Sequence, residues 1–245
     1  MSARQRLDAL LVARGFYQTR ARARDAVLRG AVTVNGLAAA KPSQMTAEDA
    51  AIAIADPAKP YVSRAALKLK HALAHFRIAA TGRHALDIGA STGGFTQVLL
   101  EEGAAHVTAI DVGHSQMAFE DPRILLVEGL NARDLTRAHV PEAFDLIVCD
   151  VSFISLRLAL PPALALAEPG ADLIALIKPQ FEVGRAALGK GGVVGDENEW
   201  ARVCAEIAAF LEGQGWSVRG ITPSPIAGGD GNREFLIAAR RGVAA

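Results

Sequence analysis

Cysteine is nearly missing from the chain: Cys149 and Cys204 are the only two in 245 residues, and neither belongs to a C-x-x-C pair. A disulfide framework is excluded, and a reducing compartment, the cytoplasm, fits best. Long apolar runs are missing too. No stretch is long enough to cross a bilayer, and the first residues include Arg4, Arg6 and Asp8 instead of the apolar run of a secretory leader. Neither membrane insertion nor secretion is expected. The chain also lacks net charge, with 26 basic and 26 acidic residues. What it has is apolar material: 51% hydrophobic against 21% charged residues makes it globular, long enough for one large domain or a module joined to an ordinary domain.

The zero net charge hides an asymmetry. Residues 1–41 hold eight basic side chains (Arg4, Arg6, Arg14, Arg20, Arg22, Arg24, Arg29 and Lys41) against Asp8 and Asp25, a net of +6 that leaves −6 for the rest. Such a segment suits contact with phosphate; the bland alternative is a pair of solvated helix faces. Leu7, Leu10 and Leu11 fall at helical spacing, and Gly15 ends that helix. Thr19 caps a second helix with Ala23, Ala26 and Val27 inside and arginines outside, stopped by Gly30. Val32-Thr33-Val34 then enters a hairpin at Asn35-Gly36. Arg6-Leu7-Asp8, Arg20-Ala21-Arg22 and Gly30-Ala31-Val32-Thr33-Val34-Asn35-Gly36 resemble the RNA-binding domain named after ribosomal protein S-four. That resemblance implies RNA contact through Arg4, Arg6, Arg20, Arg22, Arg24, Arg29 and Lys41, positioning RNA by its phosphates more than reading its bases.

Ala55-Asp56-Pro57-Ala58-Lys59-Pro60 reads as a junction, giving domains over 1–59 and 60–245. Ser63 is expected to cap a helix with Leu69, Ala72, Leu73 and Phe76 inside and Lys68 directed away from them. Short apolar strands follow near 84–88, 106–110, 124–127, 144–149 and 171–177, with helices between several of them. This predicts an α/β fold with a doubly wound, mostly parallel, Rossmann-like sheet, joined to the small N-terminal α+β domain. Two last strands near 217–222 and 233–239 have no helix between them, so the final one should pair antiparallel.

The first strand runs into Asp87-Ile88-Gly89-Ala90-Ser91-Thr92-Gly93-Gly94-Phe95-Thr96, where small residues let backbone approach a ligand. Asp111, about 20 residues on, is placed to accept from ribose hydroxyls. A dinucleotide site needs G-x-G-x-x-G, but Ser91 stands where the second glycine belongs and Asp87 lies two residues before the first. An acid there suits a cofactor with cationic ammonium and sulfonium groups, and the turn resembles the first motif of S-adenosyl-L-methionine methyltransferases. A structural glycine turn or another nucleotide is the alternative. The resemblance assigns Asp87, Gly89, Ser91, Thr92, Gly93, Gly94, Phe95, Asp111, Asn131 and Asp150 to that cofactor.

Lys68, Asp150, Lys178 and Glu234 are far apart in sequence, yet Asp150 and Lys178 end predicted strands, where parallel-sheet enzymes gather their chemistry, and Glu234 is expected in the last strand. This order resembles the catalytic tetrad of FtsJ-type ribose 2'-O-methyltransferases. The contexts Tyr61-Val62-Ser63-Arg64, Asp150-Val151-Ser152-Phe153-Ile154-Ser155, Lys178-Pro179-Gln180-Phe181-Glu182 and Gly228-Gly229-Asp230-Gly231-Asn232-Arg233-Glu234 resemble the TlyA-type hemolysin A family over essentially the whole chain. The resemblance implies methylation of cytidine ribose in ribosomal RNA, with naked RNA or ribosomal subunits as partner. One departure is Ala65-Ala66, where members often carry a glycine pair. Methylating a hydroxyl requires removing its proton as the oxygen attacks. Lys178 is the candidate base or oxyanion stabiliser, Asp150 orients it, and Lys68, a second cation beside Lys178, works with Glu234 on substrate and charge. The alternatives are an RNA base N-methyltransferase, against which stands the absence of Pro-Pro after Asp150, and a non-catalytic ribosome-assembly factor.

No metal site is expected: His71 and His75 share a helix face but lack the intervening glutamate and third ligand of a zinc-protease helix. Cys149 reads as a buried strand residue. Phe153 and Phe181 are candidates for base stacking or for packing. The glycine-rich stretch from Val183 to Gly195, with Arg185 and Lys190, reads as a mobile loop that touches RNA and gates the site. The hemolysin name raises membrane lysis, but neither a spanning segment nor a strongly amphipathic basic helix supports it.

Overall fold

A computed structural model of the protein describes residues 3–184, 188–228 and 231–243, without the Lys190 side chain. The chain divides into two compact units, Met1–Pro60 and Tyr61–Ala245. The first holds β1 (Arg4–Arg6), α1 (Leu7–Ala13), α2 (Arg20–Leu28), β2 (Val32–Val34), β3 (Leu37–Ala38), β4 (Met45–Ala47) and β5 (Ile52–Ile54). Thr19 accepts from the Arg22 amide at the start of α2, and Asn35 and Gly36 take the positive φ angles that the hairpin needs. Leu7, Leu11, Ala23, Val27 and Val32 form its core. Strands β1, β4 and β5 were not anticipated; at three residues each they are too short to show alternation.

The second unit contains α3 (Ala66–Phe76), β6 (His84–Ile88), α4 (Gly94–Glu101), β7 (His106–Asp111), β8 (Ile124–Glu128), β9 (Leu146–Cys149), α5 (Leu156–Ala159) and α6 (Pro161–Leu166). It continues with β10 (Asp172–Ile177), α7 (Pro179–Glu182), α8 (Glu197–Gly213), β11 (Trp216–Pro223) and β12 (Phe235–Arg241). The seven strands lie in the order β11-β12-β10-β9-β6-β7-β8. All neighbours from β10 to β8 are parallel, while β12 runs antiparallel to both β10 and β11. The strand order reverses between β6 and β9, and the carboxyl ends beside that reversal are where such sheets place ligands. Alternation along β9 shows how the sheet is held. Leu146 and Val148 pack with Leu69, Phe95 and Val107 on one face, and Ile147 and Cys149 with Leu156, Ile207 and Trp216 on the other.

Three local expectations are corrected. Ser63 is not the cap of α3; that position is Ala65, whose amide donates to Ser63 Oγ at 3.2 Å. Lys68 does not point away from the buried stripe but is itself buried, because a carboxylate waits for it there. Glu234 precedes β12 instead of lying within it, one step before Phe235, which pairs with Ile177.

Candidate active site

At the end of β6 the backbone turns through Gly89, Ser91 and Gly93, all with positive φ. A Cβ on Gly89 would come within 2.7 Å of the Asp150 carbonyl oxygen, so only glycine lets the turn lie this close to the end of β9. Asp111 fastens the turn: one carboxylate oxygen accepts from the Ser91 amide at 2.8 Å and the other from Gly113 at 2.7 Å. A cleft of about 170 Å³ opens there, lined by Ser63, Gly89, Ser91, Thr92, Phe95 and Asp150 among others.

Asp87 lies fully buried beneath the turn. Oδ2 accepts from Thr96 Oγ1 at 2.6 Å, while Oδ1 has no partner among the described residues. Burial pushes this carboxyl up to about 7; the Thr96 hydrogen bond opposes that rise, and the nearby charges of Asp150 and Asp111 add to it. An orphaned buried acceptor, with two further carboxylates close enough to act on it, is a donor set suited to a cationic ligand. The residues present therefore fit the ammonium and sulfonium of S-adenosylmethionine.

The four tetrad residues form two ion pairs. Lys68 Nζ donates to Glu234 Oε2 at 2.6 Å, both side chains being buried. Lys178 Nζ lies 2.6 Å from Asp150 Oδ1 and donates to Ser152 Oγ at 2.9 Å. The Asp150 contact is short but badly angled, leaving Oδ1 without a directed hydrogen bond; we read it as a charge contact. The expected pair of neighbouring cations gives way to one carboxylate per lysine. Because Ile177 pairs with Phe235, Lys178 and Glu234 occupy the next positions on adjacent strands, about 5 Å apart, and the two ion pairs are neighbours.

Not every expected ligand residue reaches the cleft. Gly94 lines it, and Gly93 caps α4 behind it. Asn131 instead caps a short 3-10 turn, accepting from the Arg133 amide at 3.1 Å. Ser63, Ala65 and Ser152 were missed as lining residues, although Ser63 and Ser152 stood in the quoted motifs. Phe153 is 90% exposed in a left-handed conformation, its ring 5.1 Å from that of Phe181. Glu182 holds this loop, accepting from Ser155 Oγ and from the Leu156 amide at 2.7 Å. Burial pushes the Cys149 thiol up, in keeping with an inert strand residue. Arg185, Gly229 and Asp230 lie outside the described residues. In the first unit Arg4, Arg24 and Lys41 are exposed and Arg22 is partly covered, while Arg6 and Arg20 share Asp8 at 2.8 and 3.1 Å. Arg29 does not face outward as expected; it is drawn inward onto Asp25 and Asp56.

Residues 61–241 match the FtsJ-like methyltransferase family, and residues 5–48 match the S4 domain. The chain belongs to the TlyA-type FtsJ-like methyltransferases. A Mycobacterium tuberculosis relative, named a 16S/23S rRNA (cytidine-2'-O)-methyltransferase TlyA, is 44% identical over 97% of this chain and 90% of its own. Hemolysin A of Brachyspira hyodysenteriae is 36% identical over 94% of this chain and 98% of its own. A solved Streptococcus thermophilus structure, also named for hemolysin, superimposes with a TM-score of 0.76 at 36% identity, covering 99% of this chain and 90% of that one. TlyA-type members thus share both units of this chain, and none of its described helices is long and apolar enough to cross a membrane.

Proposed function

We propose that this enzyme transfers the methyl group of S-adenosyl-L-methionine to the 2'-hydroxyl of a cytidine in ribosomal RNA. The observation that carries the reading is the pairing of Lys68 with Glu234 and of Lys178 with Asp150, side by side at the carboxyl edge of the sheet and next to the glycine-lined cleft. When bound, S-adenosylmethionine supplies an electrophilic methyl carbon on a sulfonium.

The chain's own residues do the rest. Asp87, buried beneath the turn, supplies negative potential toward the donor's cationic part, Asp111 at the end of β7 serves its ribose, and Gly89 gives the clearance. Ser152 accepts one hydrogen bond from the Lys178 nitrogen and Asp150 holds its charge, which leaves that nitrogen a further tetrahedral position for the acceptor oxygen. That position carries a lone pair in the amine and an N–H in the ammonium, so one geometry serves proton removal or stabilisation of the developing oxyanion. Lys68 and Glu234 neutralise one another and set the wall beside it. Arg4, Arg24 and Lys41 supply phosphate contacts, and acting on ribosomal subunits implies a cytoplasmic enzyme.

The test is transfer of a labelled methyl group from S-adenosylmethionine to small subunits, large subunits and naked ribosomal RNA, followed by alkaline hydrolysis. We expect label in an alkali-resistant dinucleotide, lost with Lys178→Ala. Label on a mononucleotide would mean base methylation, and no transfer to any substrate would leave RNA binding alone.

A further inference from the structure

Glu234 belongs to two features at once. Its Oε2 takes the Lys68 hydrogen bond, and its side chain also lines a second cleft of about 400 Å³ with Val194, Trp200, Ser224, Ile226 and Arg233. That volume falls within the range of small-ligand sites. The cleft has a built wall. Trp200 Nε1 donates to the Val194 carbonyl at 2.8 Å, and the Val194 amide donates to Oδ1 of buried Asn232 at 3.0 Å. The indole is thus fixed in plane, and its face is covered by the Arg233 guanidinium, 5.3 Å from the ring centroid.

Strand order places this cleft relative to the chemistry. Along the carboxyl edge run β6 with Gly89, β9 leading to Asp150, β10 leading to Lys178, and β12 preceded by Glu234. The donor cleft occupies the β6–β9 end, and the second cleft begins where the tetrad stops. An acceptor cannot enter from the donor's side, because in-line transfer keeps the attacking oxygen opposite the sulfur. Strands are spaced by about 4.8 Å, so the second cleft starts about one strand from Lys178, a distance comparable to that from a ribose hydroxyl to its own base.

We infer that this cleft receives the nucleobase of the acceptor nucleotide, which stacks on Trp200 beneath the Arg233 guanidinium. The inference rests on the RNA-methyltransferase reading above. An indole and a guanidinium facing each other are the two flat groups on which unstacked RNA bases are held, and Arg233 has no carboxylate partner among the described residues to keep it elsewhere. Base insertion needs the guanidinium to move further from the indole than its present 5.3 Å.

The experiment is steady-state methylation of ribosomal RNA by full-length Arg233→Ala, Trp200→Leu and Trp200→Phe, with S-adenosylmethionine affinity measured by calorimetry and folding by thermal melting. One base–aromatic stack implies that Arg233→Ala and Trp200→Leu lower kcat/KM for RNA about tenfold or more, that Trp200→Phe stays within about threefold of wild type, and that S-adenosylmethionine binds each variant equally. Cytidine monophosphate should also quench Trp200 fluorescence, since Trp216, the other tryptophan, is only 1% exposed. If Trp200→Leu fails to fold, Arg233→Ala carries the test, because Arg233 is exposed and its loss leaves the Trp200–Val194 bond intact. Unchanged kcat/KM in folded Arg233→Ala, with no quenching in wild type, overturns the base site. A wild type that yields no alkali-resistant label overturns the methyltransferase reading instead.

Discussion

At the Lys178 nitrogen, Ser152 takes the directed hydrogen bond, while Asp150 adds a charge contact that fixes no direction. Ser152 is then a positioning residue: its loss frees the nitrogen to rotate without emptying either cleft. Ser152→Ala should lower kcat about tenfold, the worth of one hydrogen bond to a charged group, with KM for RNA and S-adenosylmethionine affinity within about twofold; Ser152→Thr should restore the rate. A merely structural serine would instead lower the melting temperature and leave kcat alone. Asp87 makes a prediction in pH. Its folded pKa of about 7 lies well above the unfolded value of about 3.9, so the folded state holds the proton that the unfolded chain releases. This group's contribution to stability is complete below about pH 4, falls as pH rises and is lost once pH passes 7, with about 4 kcal/mol at stake. Asp87→Asn should flatten that part of the stability curve, measured by denaturant unfolding at pH 5 and 8. S-adenosylmethionine binding should show the opposite trend, tightening as pH rises to about 7 and levelling beyond, because only the ionised carboxylate attracts the ammonium.

At the scale of elements, the glycine turn after β6 is the joint on which the donor cleft depends. Gly89→Ala places a methyl group against the Asp150 carbonyl in a backbone conformation that L residues avoid. It should cost about 1–3 kcal/mol of stability and abolish measurable S-adenosylmethionine binding, checked by melting and calorimetry. This turn, and the strands before Asp150 and Lys178, were legible in the sequence because an apolar run that ends in a glycine or a charge marks a strand end by itself. What escaped depended on partners distant in the chain. Lys68 looked solvent-facing by helical periodicity, since nothing within α3 reveals a carboxylate 166 residues away. Glu234 seemed part of a strand, because the charged lead-in to β12 adjoins the apolar run without punctuation. Ser152 stood in a motif without a role of its own and Trp200 gave no local signal of function, since a serine and a helix-borne tryptophan are ordinary until their neighbours are known.

For the molecule as a whole, the charge asymmetry predicts that the first unit supplies RNA affinity and the second the chemistry, and the two should separate experimentally. The folded arrangement refines which cations matter. Arg4, Arg24 and Lys41 project from the unit, whereas Arg29 is spent on Asp25 and on Asp56, which also accepts from the Tyr17 hydroxyl at 2.9 Å. Counterion release makes the logarithm of RNA affinity fall linearly with that of salt, by about 0.7–0.9 per phosphate contact. In the full-length protein, replacing Arg4, Arg24 and Lys41 together with alanine should therefore reduce the slope by about 2–3, raise KM for RNA and leave kcat and S-adenosylmethionine affinity unchanged. Arg29→Ala should do the reverse: lower the melting temperature of the first unit, where it leaves Asp56 without its cation, and change the salt slope little. If Arg29→Ala shifted the slope as much as the triple variant, the phosphate-facing surface would have to include the Asp56 side of the unit. If neither shifted it, RNA affinity would reside in the catalytic unit and the asymmetry of the sequence would reflect solvation alone.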